Sequence, residues 1–194
     1  MKSFTLIEII ISLSIIAVLS SILLSLPQRA SQFYSLLNAA QQLGSEIQHV
    51  EGLALATSDF KGASSPGGWG IYIDPNASQR CYIIFQDVNQ DKQYNGPTGA
   101  NLCDQTKKSA ELAQRIYLPS NVTFDPTTLP PDFPAGPVTL VFVPPHPDVF
   151  INGASLNWIE DPSTQSKMLK IGLKIPSGDQ KIVTVNALGT VQVQ

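Results

Sequence analysis

Charge is scarce in this chain: Lys, Arg, Asp and Glu make up 14% of its 194 residues, against about 25% in an average soluble domain. Histidine and cysteine are scarcer still, with only His49, His146, Cys81 and Cys103. That set excludes zinc fingers and cysteine-rich scaffolds and argues against most metal-dependent enzymes. A net charge of −3 and a pI near 5.2 exclude a basic nucleic-acid coat and a polybasic membrane-surface protein. No long repeat or low-complexity tract is present. There is no Gly-x-Ser-x-Gly, no Gly-Lys-Ser/Thr, and no arguable Ser-His-Asp order or carboxylate pair. Nothing here reads as an enzyme. Disorder is excluded too, because 43% of the residues are hydrophobic.

What is present is concentrated at the N-terminus, where 17 of the first 26 residues are apolar. No charge occurs in the 20 residues from Ile9 to Gln28, and 20 helical residues rise about 30 Å, the thickness of a bilayer's hydrocarbon core. A cleaved secretory signal has a shorter apolar region and a small-residue cleavage site after it. Ser25-Leu26-Pro27-Gln28 is a poor site of that kind, so the segment reads as a retained single span. Lys2 is the sole basic residue before it, in keeping with a cytoplasmic start. Glu8 stands out: a carboxylate near one end of an apolar helix needs water or a partner, and no Lys, Arg or His lies within the span.

Ser3-Phe4-Thr5-Leu6-Ile7-Glu8, at the extreme N-terminus and running into a long apolar stretch, resembles the prepilin signature of type IV pilins and type II secretion pseudopilins. The resemblance implies that an inner-membrane prepilin peptidase cuts between Ser3 and Phe4 and methylates the Phe4 amine. It also implies that Glu8 is the family's assembly glutamate. The family usually has Gly where this chain has Ser3. The chemistry is coherent, since a freed amine has a pKa of about 7.7–8 and is cationic at neutral pH. On that reading Glu8 of one subunit would neutralise the Phe4 amine of another, or, before assembly, that of its own subunit.

Beyond Pro27 the pattern becomes amphipathic. Phe33, Leu36, Leu37, Ala40, Leu43, Ile47, Val50 and Ala54 recur at three- and four-residue spacing. The spacing predicts a helix from about Phe4 to Thr57, bent or weakened at Pro27. His49 falls near the margin of the stripe and reads as a surface side chain, and His146, between two prolines, as a loop residue. A loop signal, Ala-Ser-Ser-Pro-Gly-Gly, precedes short β-type runs at Trp69–Asp74, Cys81–Gln86, Arg115–Leu118, Val122–Phe124, Val138–Val143, Leu169–Ile175, Lys181–Asn186 and Thr190–Val193. Nine prolines between Pro119 and Pro147 predict an irregular crossing. The expected fold is α+β and pilin-like: a long N-terminal helix, transmembrane then amphipathic, packed on an antiparallel sheet or small β-sandwich. The expected segments are a leader at 1–3, a transmembrane or filament-core helix at 4–27, an amphipathic half-helix at 28–58 and an extracytoplasmic β-rich domain at 59–194.

The soluble part also resembles the H-type minor pseudopilin of type II secretion and related fimbrial minor pilins. Trp69-Gly-Ile-Tyr-Ile-Asp74, Ile83-Ile-Phe-Gln-Asp-Val-Asn-Gln-Asp91, Leu118-Pro-Ser-Asn-Val122 and Val183-Thr-Val-Asn-Ala-Leu-Gly-Thr-Val191 carry that likeness. Cys81 and Cys103 bound a 23-residue loop. A compartment outside the cytoplasm permits a disulfide there, worth about 3 kcal/mol; two separate buried thiols, or reactive or metal-binding thiols, are the alternatives. Inside the loop, Asp87, Asn89, Asp91 and Gln93 alternate as the start of a calcium loop does. Lys92 then takes the place of the turn glycine and Thr98 that of the bidentate Glu. A polar turn whose Asp and Asn bond their own backbone accounts for the same residues. No other cofactor is expected.

The resemblance implies a minor pilin or pseudopilin, a structural subunit of a type IV pilus or type II secretion pseudopilus. Its partners would be other pilin or pseudopilin subunits, the prepilin peptidase and the bacterial inner membrane, spanned once with the C-terminal domain outside the cytoplasm. Two other readings stand beside it. Lys167, Lys170, Lys174 and Lys181 are a candidate nucleic-acid surface for a minor pilin in DNA uptake, although Lys170 and Lys174 equally fit the solvated face of a sheet. The other is a membrane-anchored extracytoplasmic protein with no assembly role.

Overall fold

The computed structural model describes residues 5–56 (22–28 as backbone alone), 67–75, 80–128, 136–144, 148–155, 168–186 and 188–194. Helix α1 runs from Leu6 to Leu55, and its helical assignment continues through Pro27. Thr5 is the N-cap, extended at φ −79° and ψ 148°, and its hydroxyl accepts from the Glu8 N–H at 3.4 Å. Thr5-x-x-Glu8 has the sequence of a capping box. At the other end, the Ala56 N–H donates to Gly52 O at 2.9 Å.

The two halves of α1 differ in what covers them. From Leu36 onward, Leu36, Ala39, Ala40, Leu43, Ile47, Val50 and Ala54 are buried at helical spacing. They form one core with strands from two antiparallel sheets. Strands β1 (Trp69–Ile73), β2 (Cys81–Gln86), β3 (Leu112–Tyr117), β5 (Val138–Val143), β6 (Asp148–Ile151) and β7 (Ala154–Ser155) make the larger sheet, ordered β3-β2-β1-β5-β6-β7. Strands β4 (Thr123–Asp125), β8 (Leu169–Lys174), β9 (Gln180–Val185) and β10 (Val191–Val193) make the smaller, ordered β10-β9-β8-β4. Gly44 lets the smaller sheet approach closely, since a Cβ there would lie 3.3 Å from the Val193 side chain.

Every residue of β1 and β2 is buried. Trp69, Ile71 and Ile73, with Tyr82 and Ile84, face the helix. Tyr72, Cys81, Ile83 and Phe85 face away, into a second core closed by Tyr94 and Leu102. The chain between β2 and β3 therefore folds back over the far face of the larger sheet. That explains the apolar run Tyr82-Ile-Ile-Phe85, where a sheet with one wet face would alternate.

The structure corrects the expected fold class and location. Among the described residues, no helix is long and apolar enough to cross a membrane. The stretch Leu6 to Ser21 carries Glu8 and four serines. The transmembrane first half of the helix, and with it the single-pass inner-membrane anchor, is not supported. The helix packs on two antiparallel sheets, one of six strands and one of four. Within the proline-rich part, β4 and β5 are regular strands. Just beyond it, β6 and β7 form a hairpin absent from the sequence reading. Its turn is Asn152-Gly153, with φ of 50° and 80°, the dipeptide that favours a two-residue hairpin turn.

Candidate functional site

The stretch of α1 from Leu6 to Leu19 stands bare. Leu6, Ile7, Ile9, Ile10, Ile11, Leu13, Ile15, Ile16, Val18 and Leu19 are each between 52% and 76% exposed. Their positions run around the whole circumference instead of along one stripe, and a helix that is apolar all round is normally buried on every side. Its serines do not spoil that surface. Ser12 donates to Glu8 O and Ser14 to Ile10 O, both at 2.8 Å, and Ser21 donates to Val18 O at 2.7 Å, so those hydroxyl protons are held by the helix itself. Glu8 is exposed in the first turn, where its charge complements the positive end of the helix dipole. Ser3 and Phe4, the residues flanking the expected cut, lie outside the described residues.

On the far side of the larger sheet, Cys81 and Cys103 form a disulfide, with Cα atoms 5.9 Å apart. It ties the start of β2 to the end of the polar loop. Asp87, Asn89, Asp91 and Gln93 fall in one turn, where Gln90 and Lys92 take φ of 65° and 60°. Asp87 Oδ2 accepts the Lys92 N–H at 2.9 Å. Asp91 Oδ1 accepts the Gln93 N–H at 2.9 Å, while its Oδ2 accepts from the Asn89 and Asn95 amides at 3.0 and 2.5 Å. Asn89 Oδ1 in turn accepts the Asp91 N–H at 3.3 Å. These oxygens thus serve the loop's own donors, as in a polar Asx turn. Among the described residues, no group of three or more His, Cys, Asp or Glu is set to hold a metal ion.

The acids of this loop sit in unequal environments. Burial pushes the Asp87 carboxyl up, and bonds from the backbone of Lys92, Gln90 and Asp91 pull it only partly back. Glu111 is likewise raised, first by burial and then by the charges of Asp87 and Asp91, although the Asn95 N–H donates to it at 2.7 Å. Asp91 goes the other way. Burial acts against ionisation there, but bonds from Asn95, Gln93 and Asn89 hold the carboxyl below the usual range. The sequence reading missed Glu111. It lies 20 residues from Asp91 along the chain, and only the fold brings it to Asn95.

The three described lysines of the candidate set, Lys170, Lys174 and Lys181, do not share one face. Lys170 and Lys174 project from the same face of β8, and Lys174 Nζ lies 3.3 Å from Asp125 Oδ1. Lys181 sits opposite Leu173 on the helix-facing side of β9, its ammonium 6.0 Å from the Phe33 ring centroid. Lys167 lies outside the described residues, as does His146, while His49 is exposed on α1. No protein-family model, curated protein or solved structure matches the chain.

Proposed function

We propose that this chain is a structural subunit of a helix-packed filament, of the minor pilin or pseudopilin kind, and not an enzyme. One observation carries the reading. From Leu6 to Leu19 α1 is apolar around its whole circumference and bare, while from Leu36 onward it is built into the core that holds both sheets together. A single partner helix would cover one stripe of that surface. Covering all of it takes several neighbours at once, as in the interior of a helical bundle. Removing those side chains from water favours such packing by roughly 1.5–3 kcal/mol for each one fully buried. The rigid continuity of the helix then carries the β region outward, where it meets neighbouring subunits or cargo.

The prepilin-like signature Ser3-Phe4-Thr5-Leu6-Ile7-Glu8 supplies the accompanying chemistry. A prepilin peptidase removes Met1-Lys2-Ser3, and the methylated Phe4 amine pairs with Glu8 of a neighbouring subunit. The intact mass and N-terminal peptide mass of the protein purified from its native cells test this reading. The expected product begins at methylated Phe4. A chain still beginning at Met1, in cells whose other prepilins are cut, overturns it.

A further inference from the structure

Strand β3 ends the larger sheet with an open edge. The Leu118 N–H donates to Arg80 O at 2.8 Å, which makes Arg80 and Leu118 a hydrogen-bonded pair. In an antiparallel ladder such pairs alternate, so Tyr82/Ile116 and Ile84/Gln114 follow in register. The N–H and C=O groups of Arg115 and Tyr117 therefore point away from β2. Among the described residues no strand pairs with that side. Natural proteins usually cover or charge such an edge, because it is a template for another strand.

Here β3, from Leu112 to Arg115 and at Tyr117, lines a groove of about 440 Å³ together with Gln105, Lys108 and Ser109. The wall is held in place. Arg115 Nε donates to Leu102 O at 2.9 Å and its Nη2 donates to Lys107 O, while the Tyr117 hydroxyl donates to Cys103 O at 3.0 Å. The Cys81–Cys103 disulfide closes the loop behind them. Among the described residues, Lys108 and Arg115 are the only charged side chains in the lining. Asp104 stands on the same loop but outside the lining, and Glu111 is buried.

We propose that this groove is a strand-addition site for an extended acidic segment of a partner protein. The segment pairs its backbone with Arg115 and Tyr117 and sets carboxylates against Lys108 and Arg115. Main-chain bonds give such a site its affinity and the side-chain surroundings its preference. A second copy of this chain fits poorly, because pairing β3 with itself would bring the two cationic linings together. The site does not depend on how Leu6–Leu19 is covered.

The test uses the full oxidised chain and a labelled peptide of about eight residues alternating Glu with Val or Thr, a typical strand length. Two control peptides carry Lys in place of Glu, or N-methyl groups on alternate backbone nitrogens. Fluorescence anisotropy is expected to show binding of the acidic peptide alone. Tyr117→Pro removes one outward N–H and no bond to β2, and should weaken binding by about threefold to tenfold, the worth of one hydrogen bond. Tyr117→Phe keeps that N–H and loses only the hydroxyl's bond to Cys103 O, so it should lose less affinity than Tyr117→Pro, and Lys108→Glu should bind more weakly than the wild type. In the wild-type protein the Arg115 and Tyr117 amides should exchange more slowly once peptide is added, a readout that stands even where the proline variant does not fold. Equal binding of the N-methylated peptide, unchanged exchange at both amides, absence of binding, or dimerisation through β3 would each overturn the proposal.

Discussion

Asp125 on β4 and Lys174 on β8 meet as an ion pair, with Oδ1 and Nζ 3.3 Å apart. The carboxylate is the hub of this edge of the smaller sheet. It also accepts from the Thr127 N–H and hydroxyl at 3.1 and 2.9 Å and from the Gln180 amide at 2.5 Å. Its side chain is 1% exposed while that of Lys174 is 40% exposed, so the two partners matter unequally. Asp125→Ala strands several donors and is expected to cost about 2–3 kcal/mol. Lys174→Ala leaves the other bonds in place and should cost less than about 1 kcal/mol. Burial works against the charge on Asp125, but Thr127 and Lys174 outweigh it and hold its carboxyl below the usual range. This contribution is therefore present above the unfolded value and lost as pH falls through the folded one. Urea denaturation of both variants, at neutral and acid pH, measures all three effects.

Glu111 predicts the opposite pH dependence. Burial first, then Asp87 and Asp91, raise its carboxyl above the ordinary 4.5. A raised folded value means that the folded state holds its proton longer than the unfolded chain does. The resulting stabilisation is present below the unfolded value and lost as pH rises through the folded one. From neutral pH down toward 4.5 the protein should gain stability through this group, before the loss at Asp125 begins. Glu111→Gln should reduce that gain to the part left by Asp87, whose carboxyl burial also raises, while leaving the acid-side loss intact. Denaturation midpoints across the range separate the two groups, and an unchanged slope in the variant would remove Glu111 as the cause.

The disulfide spans 22 residues of sequence separation, and its removal should cost about 3 kcal/mol on the chain-entropy account. In the Cys81→Ala, Cys103→Ala double variant the loss should be local in its first effects. Tyr94 and Leu102 cap the second core from the loop side, so proteolysis should begin between Asp87 and Lys108. The helix-facing core, with Ile71 and Leu43 fully buried, should stay folded until the global transition. Limited proteolysis with mass mapping checks the order.

How much of this was legible in the sequence depends on whether the signal was local. The stripe Leu36, Ala40, Leu43, Ile47 and Val50 lies within one helix and could be read from spacing alone, as could Val138–Val143 and Leu169–Lys174. That β4 pairs with β8 could not, because Phe124 meets Leu173 across 49 residues and no local pattern records such a pairing. The hairpin of β6 and β7 was announced by Asn152-Gly153 but followed a proline-rich stretch that read as irregular. At the candidate sites, the alternation of Asp87, Asn89 and Asp91 was visible. Its use, bonding the loop to itself, depends on φ values at Gln90 and Lys92 that residue type does not set. The split of Lys181 from Lys170 and Lys174 follows from register, which the sequence leaves open by one residue.

Two separable roles are proposed for Glu8, and one pair of substitutions distinguishes them. As the fourth residue of the Thr5-x-x-Glu8 pattern, it stabilises the first turn of α1 through its place near the helix N-terminus, by about 0.3–1 kcal/mol. As an acid on an otherwise apolar surface, it is the group proposed to meet a neighbour's Phe4 amine. Glu8→Ala removes both roles. Glu8→Gln removes the charge but keeps a side chain suited to the cap. Neither should move the denaturation midpoint of the β region, because residues 5–19 make no contribution to its core. Incorporation into filaments should fall in both variants alike if charge pairing drives assembly, and wild-type incorporation should decline above a pH of about 8 as the amine loses its proton. A Glu8→Gln protein that assembles as well as the wild type would leave Glu8 as a cap alone, with the apolar circumference of the helix sufficient for packing.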